Sequence, residues 1–579
     1  MSPTRKRWDI APPAPREQRE RLAHLHPLLM QVLYNRGVIE PPEADAFLTG
    51  RARFDDPYRI AGIPVAVERI RTAIVAGEPI VVYGDFDADG VTATVLLVQT
   101  LTAFGARVTP YIPHRVDEGY GLNRDALEKI ARVGGRLVIT VDCGIRSADE
   151  VACGASLGLD LIVTDHHSIQ RSDGQDVLPP ALAVINPKQQ ADPYPAKDLA
   201  GVGLAFKLAQ ALLIAEQRNP AASGAVTLAE RDLLDLVALG TVADLAPLLG
   251  ENRALVQRGL AELNKPRRPG IVAMLEEAKL QPGRVDATAI GFVLGPRLNA
   301  AGRLDTAKIS YDLLTAPDVL TARPLAAKLS ELNRQRQELT QQRVTQAKNL
   351  IAGDRPDRFL YLLSHPDFEP GIVGLVAGRL TEELYRPTLV AEVGPETTHG
   401  SARSIPEFNV TAALDECREL LERHGGHAAA AGFTVRNEKL ARLAARLEEI
   451  ASRELAGREL QPSLAIDAAV ELGDLDWAVH DLLRQLEPCG YANPQPVFAA
   501  LGVELAGYRQ VGTDRQHLKL SVRDPHGGQE WDAIAFRQGH WFGQLAPRID
   551  VAFTLEANEF NGERRLQLNV KDLRKAGGR

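Results

Sequence analysis

The chain has 579 residues, enough for roughly three or four domains of ordinary size. Apolar residues make up 45% and charged residues 25%, and no apolar run is long enough to span a bilayer, which excludes a disordered chain and a helical membrane protein. The formal net charge of -8 excludes a protein coated in basic surface, so a nucleic-acid partner would have to be held by local basic patches.

Residues 1–78 read as an N-terminal helical segment, with apolar spacing over Leu25 to Leu33 and Pro42 to Leu48 fit for packing on something larger. Ile80 to Tyr83 is a β-branched and aromatic strand, broken by Gly84 into a turn that carries Asp85, Asp87 and Asp89 at alternate positions. Carboxylates so crowded repel one another and rise in pKa unless something positive lies among them. A divalent cation is the obvious counter-charge; an acidic, solvated turn is the plain alternative.

A helix from Thr92 to Phe104, a strand from Arg107 to Ile112, a helix from Arg124 to Val133 capped by Asn123, and a strand from Leu137 to Val141 follow. Next come a helix from Ser147 to Leu157 and strands from Leu159 to Thr164 and Ala181 to Ile185. Strands alternating with helices indicate βαβ units and a parallel sheet covered on both faces, with the site outside the carboxyl ends of the strands. One strand runs into Asp142-Cys143-Gly144 and another into Asp165-His166-His167, so these groups and the aspartate trio share one edge of the sheet. A lone Asp after a strand is usually a turn residue or a cap, but three strand ends carrying ligand-type side chains make one constellation. Asp244 follows the apolar stretch Leu233 to Leu239 and either joins that constellation or ends a helix; spacing leaves both open.

Arg115 and Tyr120 lie in a Gly-bearing loop after a strand end, offering a charge for a phosphate and a ring for a base, unless the Tyr packs on the sheet. Residues 203–300 read as mostly helical, and Arg297 and Arg303 flank Asn299 in a Gly-bounded segment that looks like a phosphate-facing loop or like ordinary solvated arginines. Leu325 to Ile351 reads as one long helix between two lobes. A second α/β lobe over about 355–455 has strands from Phe359 to Leu363 and Thr388 to Val393, and helices from Ile372 to Leu384 and Val410 to His424, the last capped by Asn409. Gly400, Gly425, Gly426 and Gly432 let backbone amides approach a ligand there, and Ser401, Arg403 and His427 offer donors.

From Ser463 the chain turns strand-rich, with strands from Val497 to Leu505, His517 to Val522, Trp531 to Phe536, Val551 to Glu556 and Arg564 to Val570 suggesting a small barrel. Tyr508, Arg509, Trp531 and Trp541 are candidate contacts to a single strand, or core residues. Cys143, Cys153, Cys417 and Cys489 lack paired or metal-type spacing, and the basic start has no apolar signal segment behind it, so a reducing, cytoplasmic setting is expected.

Asp-Phe-Asp-Ala-Asp-Gly at 85–90, Thr-Val-Asp-Cys-Gly at 140–144, Asp-His-His at 165–167 and Val-Ala-Asp at 242–244 resemble the ordered motifs of the DHH phosphoesterase superfamily. Gly-Pro-Arg-Leu-Asn-Ala-Ala-Gly-Arg at 295–303, Gly-Ser-Ala-Arg-Ser at 400–404 and Gly-Gly-His-Ala-Ala-Ala-Ala-Gly-Phe at 425–433 narrow the resemblance to the RecJ family, over nearly the whole chain. Cys143 departs from the Asn found in many relatives; it adjoins a ligand position without replacing it.

The resemblance implies a parallel-sheet α/β DHH domain at 79–320, a connecting helix at 321–354, a second α/β DHH-associated domain at 355–458 and a C-terminal OB-fold β-barrel at 459–579. It implies two divalent cations, Mn²⁺ or Mg²⁺, with Asp87, Asp89, Asp142, His166 and Asp244 as direct ligands and Asp142 bridging. Zinc is disfavoured, because no cysteine belongs to the set. Asp85 and Asp165 are implied as catalytic-motif positions that either bind metal or orient a ligand or water, and His167 as facing the substrate phosphate. Arg115, Tyr120, Arg297, Asn299, Arg303, Ser401, Arg403 and His427 are the implied substrate contacts.

The implied activity is hydrolysis of single-stranded DNA from the 5′ end into 5′-mononucleotides, in DNA repair and recombination, without a covalent intermediate because the cations supply an activated water. A single-strand-binding protein and a helicase are the implied protein partners. One alternative is a small-substrate DHH phosphoesterase acting on oligoribonucleotides, cyclic dinucleotides or pyrophosphate, which has no obvious need of the barrel. The other is a non-catalytic nucleic-acid scaffold, which has no reason to keep mutually repelling carboxylates.

Overall fold

The structure, a computed structural model, describes residues 6–50, 54–115, 117–119, 121–220, 226–352, 358–525, 527–560 and 562–577. It forms two compact units, Arg53–Leu460, and Met1–Ala52 together with Gln461–Arg579.

In the first unit five parallel strands lie in the order Arg107–Tyr111, Pro79–Gly84, Leu137–Val141, Asp160–Thr164, Ala183–Ile185. The central strands are buried on both faces, which is why they read as continuous apolar runs. From Pro79–Gly84 the chain crosses first to one neighbour and then to the other, so the strand order reverses between Pro79–Gly84 and Leu137–Val141. At that switch point Gly84 is paired with Val141, and Val141 with Thr164, so Asp85, Asp142 and Asp165 leave the sheet side by side.

The helix expected from Thr92 begins at Ala88, because Asp87 caps it by accepting from the backbone N–H of Asp89 at 2.9 Å and of Gly90 at 3.0 Å. Asp89 therefore stands in the first helical turn and not in a strand-end loop. The helices Gly201–Arg218 and Leu234–Ala243 are apolar nearly all round and join the sheet's largest core cluster.

Residues 295–303, expected as a loop, form the helix Gly295–Leu304 behind a π-helical turn, Ile290–Leu294. Pro296 lies in the first turn of this helix, directly after the π-helical turn. Gly302 lets this helix lie directly on the aspartate turn: a Cβ there would come 2.4 Å from the Phe86 carbonyl oxygen. Gly302→Ala is expected to lower stability by about 1–3 kcal/mol, read as the midpoint of denaturant unfolding; an unchanged midpoint would show that the contact yields freely.

The long helix runs Val319–Ala352. It leads to a second sheet in the order Leu421–His427, Ala430–Arg436, Thr397–Arg403, Thr388–Val393, Tyr361–His365, antiparallel except for the last pair. The helix expected over Val410 to His424 stops at Asp415 with Asn409 as its cap, and Leu421–His427 is a strand. In that strand Gly425 pairs with Gly432 and Gly426 with Ala431. Ser401 and Arg403 stand on the strand Thr397–Arg403, and His427 ends the strand Leu421–His427.

In the second unit Phe498–Val511, His517–Arg523, Trp531–Ala535, Glu563–Lys575 and Arg548–Phe560 form a barrel that closes by pairing of the first strand with the last. Closure leaves no free edge. The strand Arg7–Ile10 pairs in parallel with Ser463–Ile466, and Leu22, Leu29 and Leu33 enter the barrel's core cluster. The residues expected as one segment, 1–78, thus divide: 6–50 belong with the barrel, and Ile63–Ala76 packs on the parallel sheet. No helix among the described residues is long and apolar enough to cross a membrane.

Candidate metal centre

The strand ends of the parallel sheet and the end of one buried helix deliver the predicted ligand-type groups to one place. Donor atoms of Asp85, Asp87 and Asp142 lie within 4.8 Å of one another, as do those of Asp89, His166 and Asp244, and those of Asp142, His166 and His167. Asp142 and His166 each belong to two of these groups, so the arrangement offers adjoining cation positions with a carboxylate between them. Asp244 is the C-cap of Leu234–Ala243, and its carboxylate also lies near Asp89 and His166.

His166 Nε2 is 3.1 Å from Asp142 Oδ1 and 3.8 Å from Asp244 Oδ2. Burial first, and then the neighbouring charge of His167, push the His166 pKa down to about 3, so its ring is neutral. Two lone pairs then face each other unless a proton or a cation lies between them. His166 Nε2, Asp142 Oδ1 and Asp85 Oδ1 are all buried and none makes a hydrogen bond. Burial, and next the charge of neighbouring carboxylates, raise Asp85 and Asp142 well above the usual range, Asp89 to about 7 and Asp244 to about 9. Divalent cations fit this donor set, because they replace the protons and answer all three unpartnered atoms at once. Sulfur takes no part: Cys143 Sγ points to the Tyr83 carbonyl at 3.9 Å.

Asp85 and Asp165, alike in sequence, differ here. Asp165 Oδ1 accepts from the His167 backbone N–H at 2.9 Å and meets His167 Nδ1 at 2.7 Å, while Oδ2 accepts from Ile145 N–H at 2.9 Å. Burial, the largest single influence, would raise the Asp165 pKa, but the side-chain and backbone bonds from His167 together with the charges of the two histidines outweigh it and hold the carboxyl below its ordinary value. The side-chain bond, with nearby carboxylates, outweighs burial at His167 and holds its pKa up. Asp165 has the geometry of a group that orients His167; Asp85, with an unpartnered oxygen beside Asp87 and Asp142, has that of a ligand.

Asp89 carries a link invisible in the sequence: its Oδ2 accepts from Gly201 N–H at 2.7 Å and its Oδ1 from Val202 N–H at 2.8 Å, at the N-terminus of an 18-residue helix. The close approach requires glycine, since a Cβ on Gly201 would lie 2.7 Å from Asp142 Cβ.

Beside the carboxylates stands a group of arginines. The Arg115 guanidinium lies 4.7 Å over the Phe86 ring and feels the charges of Asp85 and Asp87. Arg303 donates to the Gly371 carbonyl at 3.1 Å; burial, then the charges of Arg115 and Arg336, push its pKa down to about 9. Arg403 donates to Ser401 Oγ at 3.0 Å and is lowered by burial and then by Arg115. None of these guanidiniums is in a carboxylate ion pair among the described residues. Converging cations stripped of water are unfavourable until a multiply charged anion joins them.

Residues 79–241 match the family model of the DHH family N-terminal domain, 357–453 the DHHA1 domain and 466–572 the RecJ OB domain. The single-stranded-DNA-specific exonuclease RecJ of Bacillus subtilis (strain 168) is 36% identical over 99% of this chain and 71% of its own. That of Escherichia coli (strain K12) is 36% identical over 95% of this chain and 96% of its own. The chain belongs to the RecJ family. The crystal structure of RecJ in complex with Mn²⁺ from Thermus thermophilus matches with a TM-score of 0.84 at 30% identity, covering 99% of this chain and 80% of that one.

Among RecJ-family motif residues, not every predicted contact faces the cluster. Asn299 Oδ1 accepts from the Ala88 backbone N–H at 2.8 Å, which ties its helix to the aspartate turn. Arg297 donates to Ser330 Oγ at 3.1 Å and to the Val293 carbonyl at 2.8 Å. Tyr120 lies outside the described residues. Arg336, on the long helix, joins the arginine group although nothing in its Gln- and Arg-rich surroundings marks it.

In the barrel of this RecJ-family chain Trp531 is core, since Trp531, Ala533 and Ala535 alternate inward along one strand, and Trp541 is half-buried. The exposed rings are Tyr508, Phe536 and Phe542, with Tyr508 and Phe542 5.5 Å apart edge to face.

Proposed function

We propose that the chain is a metal-dependent, single-stranded-DNA-specific exonuclease that works 5′→3′ and releases 5′-mononucleotides. Asp85, Asp87 and Asp142 hold one divalent cation, and Asp89, Asp142, His166 and Asp244 the other. What carries the proposal is the set of buried, unpartnered donor atoms on Asp85, Asp142 and His166 at the switch point of the sheet, in a chain whose relatives are named single-stranded-DNA-specific exonucleases. The ligand set, carboxylates with imidazole, suits Mn²⁺ and Mg²⁺.

Bound there, Mn²⁺ or Mg²⁺ supplies an activated water and offsets charge developing on the phosphate. The chain's own residues do the rest by position. The Gly201 and Val202 amides hold Asp89 in place, so its carboxylate needs no rearrangement during reaction. Asp165 keeps His167 oriented, as a donor to a non-bridging phosphate oxygen. Arg115, Arg303 and Arg403, with Ser401 and Arg336, take the 5′-terminal phosphate, which carries more negative charge than an internal phosphodiester and so marks a strand end.

Arg403→Ala is expected to reduce the preference for a 5′-phosphorylated over a 5′-hydroxyl strand about tenfold, in competition between the two substrates. An unchanged preference would reassign the strand Thr397–Arg403. The whole proposal is tested with Mn²⁺ and 5′-labelled oligonucleotides: single strands should shorten to mononucleotides while duplex persists. Digestion of duplex at an equal rate, or turnover of dinucleotides alone, would exclude it. Action in the cytoplasm in DNA repair and recombination, on strands supplied by a helicase and a single-strand-binding protein, belongs to the same proposal.

A further inference from the structure

The arginines that take the 5′ phosphate lie beside Asp85 and Asp87, at one end of the ligand set. A second group of cations stands at the other end, and neither the metal nor the terminal phosphate accounts for it. Arg146 follows the strand Leu137–Val141; its Nε donates to the Ser168 carbonyl at 2.9 Å. Its Nη1 comes within 4.0 Å of where a Cβ on Gly425 would sit, so the guanidinium reaches the strand that ends in His427.

Lys188 Nζ donates to the His166 carbonyl at 2.6 Å, on the backbone of a candidate ligand. Its own backbone is fixed by Asn186, a buried side chain that accepts from Lys188 N–H at 2.9 Å and donates to the His167 carbonyl at 3.0 Å. The charges of Arg146, His167 and Lys188 all bear on His427. Against them stand the largely exposed Asp198, 3.8 Å from Lys188, and Asp244, whose charge a cation in the ligand set would itself offset. Held cations with so little counter-charge, at the rim of a site that handles a polyanion, have the form of a phosphate contact.

We propose that Arg146, Lys188 and His427 form a second anion subsite that grips the phosphate next along the strand on the 3′ side of the scissile bond. The subsite rests on the exonuclease reading: with the 5′ end anchored near Asp85 and Asp87, the strand crosses the cations and leaves past His166 and Asp244. A single strand would then be held on both sides of the cleaved phosphate, and kept in line for the next step after each mononucleotide departs.

The test uses the full chain with Mn²⁺ and compares a 5′-phosphorylated oligonucleotide with a 5′-phosphorylated dinucleotide, which has no phosphate beyond the scissile one. Arg146→Ala, at an exposed position, and Arg146→Ala with Lys188→Met are expected to lower the oligonucleotide-to-dinucleotide ratio of kcat/KM about tenfold, through KM. The slope of log kcat/KM against log salt should fall by about one for each cation removed. Lys188→Arg, which keeps the charge, should retain the wild-type ratio. Equal losses on both substrates, or an unchanged ratio and slope, overturn the subsite while leaving the exonuclease reading intact. Wild-type protein that cleaves neither substrate overturns both.

Discussion

Asp142→Ala is expected to cut mononucleotide release from 5′-labelled single-stranded DNA by more than about a thousandfold. Asp142 belongs to two of the donor groups and lies 3.1 Å from His166 Nε2, so its loss opens both cation positions at once. Neighbours such as Asp89 and Asp244 cannot move in: the first is held by the amides of Gly201 and Val202, and the second is fixed by the end of its helix. Asp142→Asn separates function from folding. Asn tolerates the left-handed backbone at this position, φ 63°, and removes a buried carboxyl that other carboxylates repel. It should be as inactive as the Ala variant yet unfold at a higher temperature than wild type without metal. Turnover near wild type in either variant would remove the bridging ligand from the proposal.

Metal-free protein is expected to lose stability as pH rises, and Mn²⁺ to restore it. Asp89 and Asp244 have folded-state pKa values of about 7 and about 9, above the ordinary 3.8, because burial and then neighbouring carboxylates disfavour their charge. Between those values the folded chain keeps protons that the unfolded chain has released, so stability falls with pH. This contribution is fully present below pH 3.8 and is gone once pH passes about 9. Cations replace the protons, and at a hundred times Kd the linkage contributes about 2.7 kcal/mol. Thermal midpoints across this range, with EDTA and with Mn²⁺, measure both effects. A midpoint that rises with pH in EDTA, or no shift with Mn²⁺ near neutral pH, would deny the carboxylates their role as a cation site.

The architecture was legible because its signals are local. Runs such as Ile80 to Tyr83 and Leu137 to Val141 are apolar on both faces and end in Asp, a pattern that strand geometry and the parallel sheet explain without reference to the rest of the chain. Misreadings came where two local signals compete. Val410 to His424 has apolar spacing for a helix, but its second half pairs with Ala430–Arg436 as a strand, and the helix ends at Asp415. The Gly-bounded segment at 295–303 has loop punctuation, yet its glycine is there for close helix packing on Phe86.

By itself the amino-acid sequence determined which side chains would gather: acidic and imidazole groups placed directly after parallel strands have nowhere to go but one edge of the sheet. Only the tertiary structure decided what each does there. Asp165 is bonded to a histidine and Asp85 is not: the Ile145 and His167 amides reach one carboxylate, and no donor reaches the free oxygen of the other. Arg336 and Lys188 join the site through packing of elements remote in the chain. Periodicity and turn chemistry act over a few residues and can be read in order; hydrogen-bond partners and burial depend on what else arrives nearby, which the order of residues does not state.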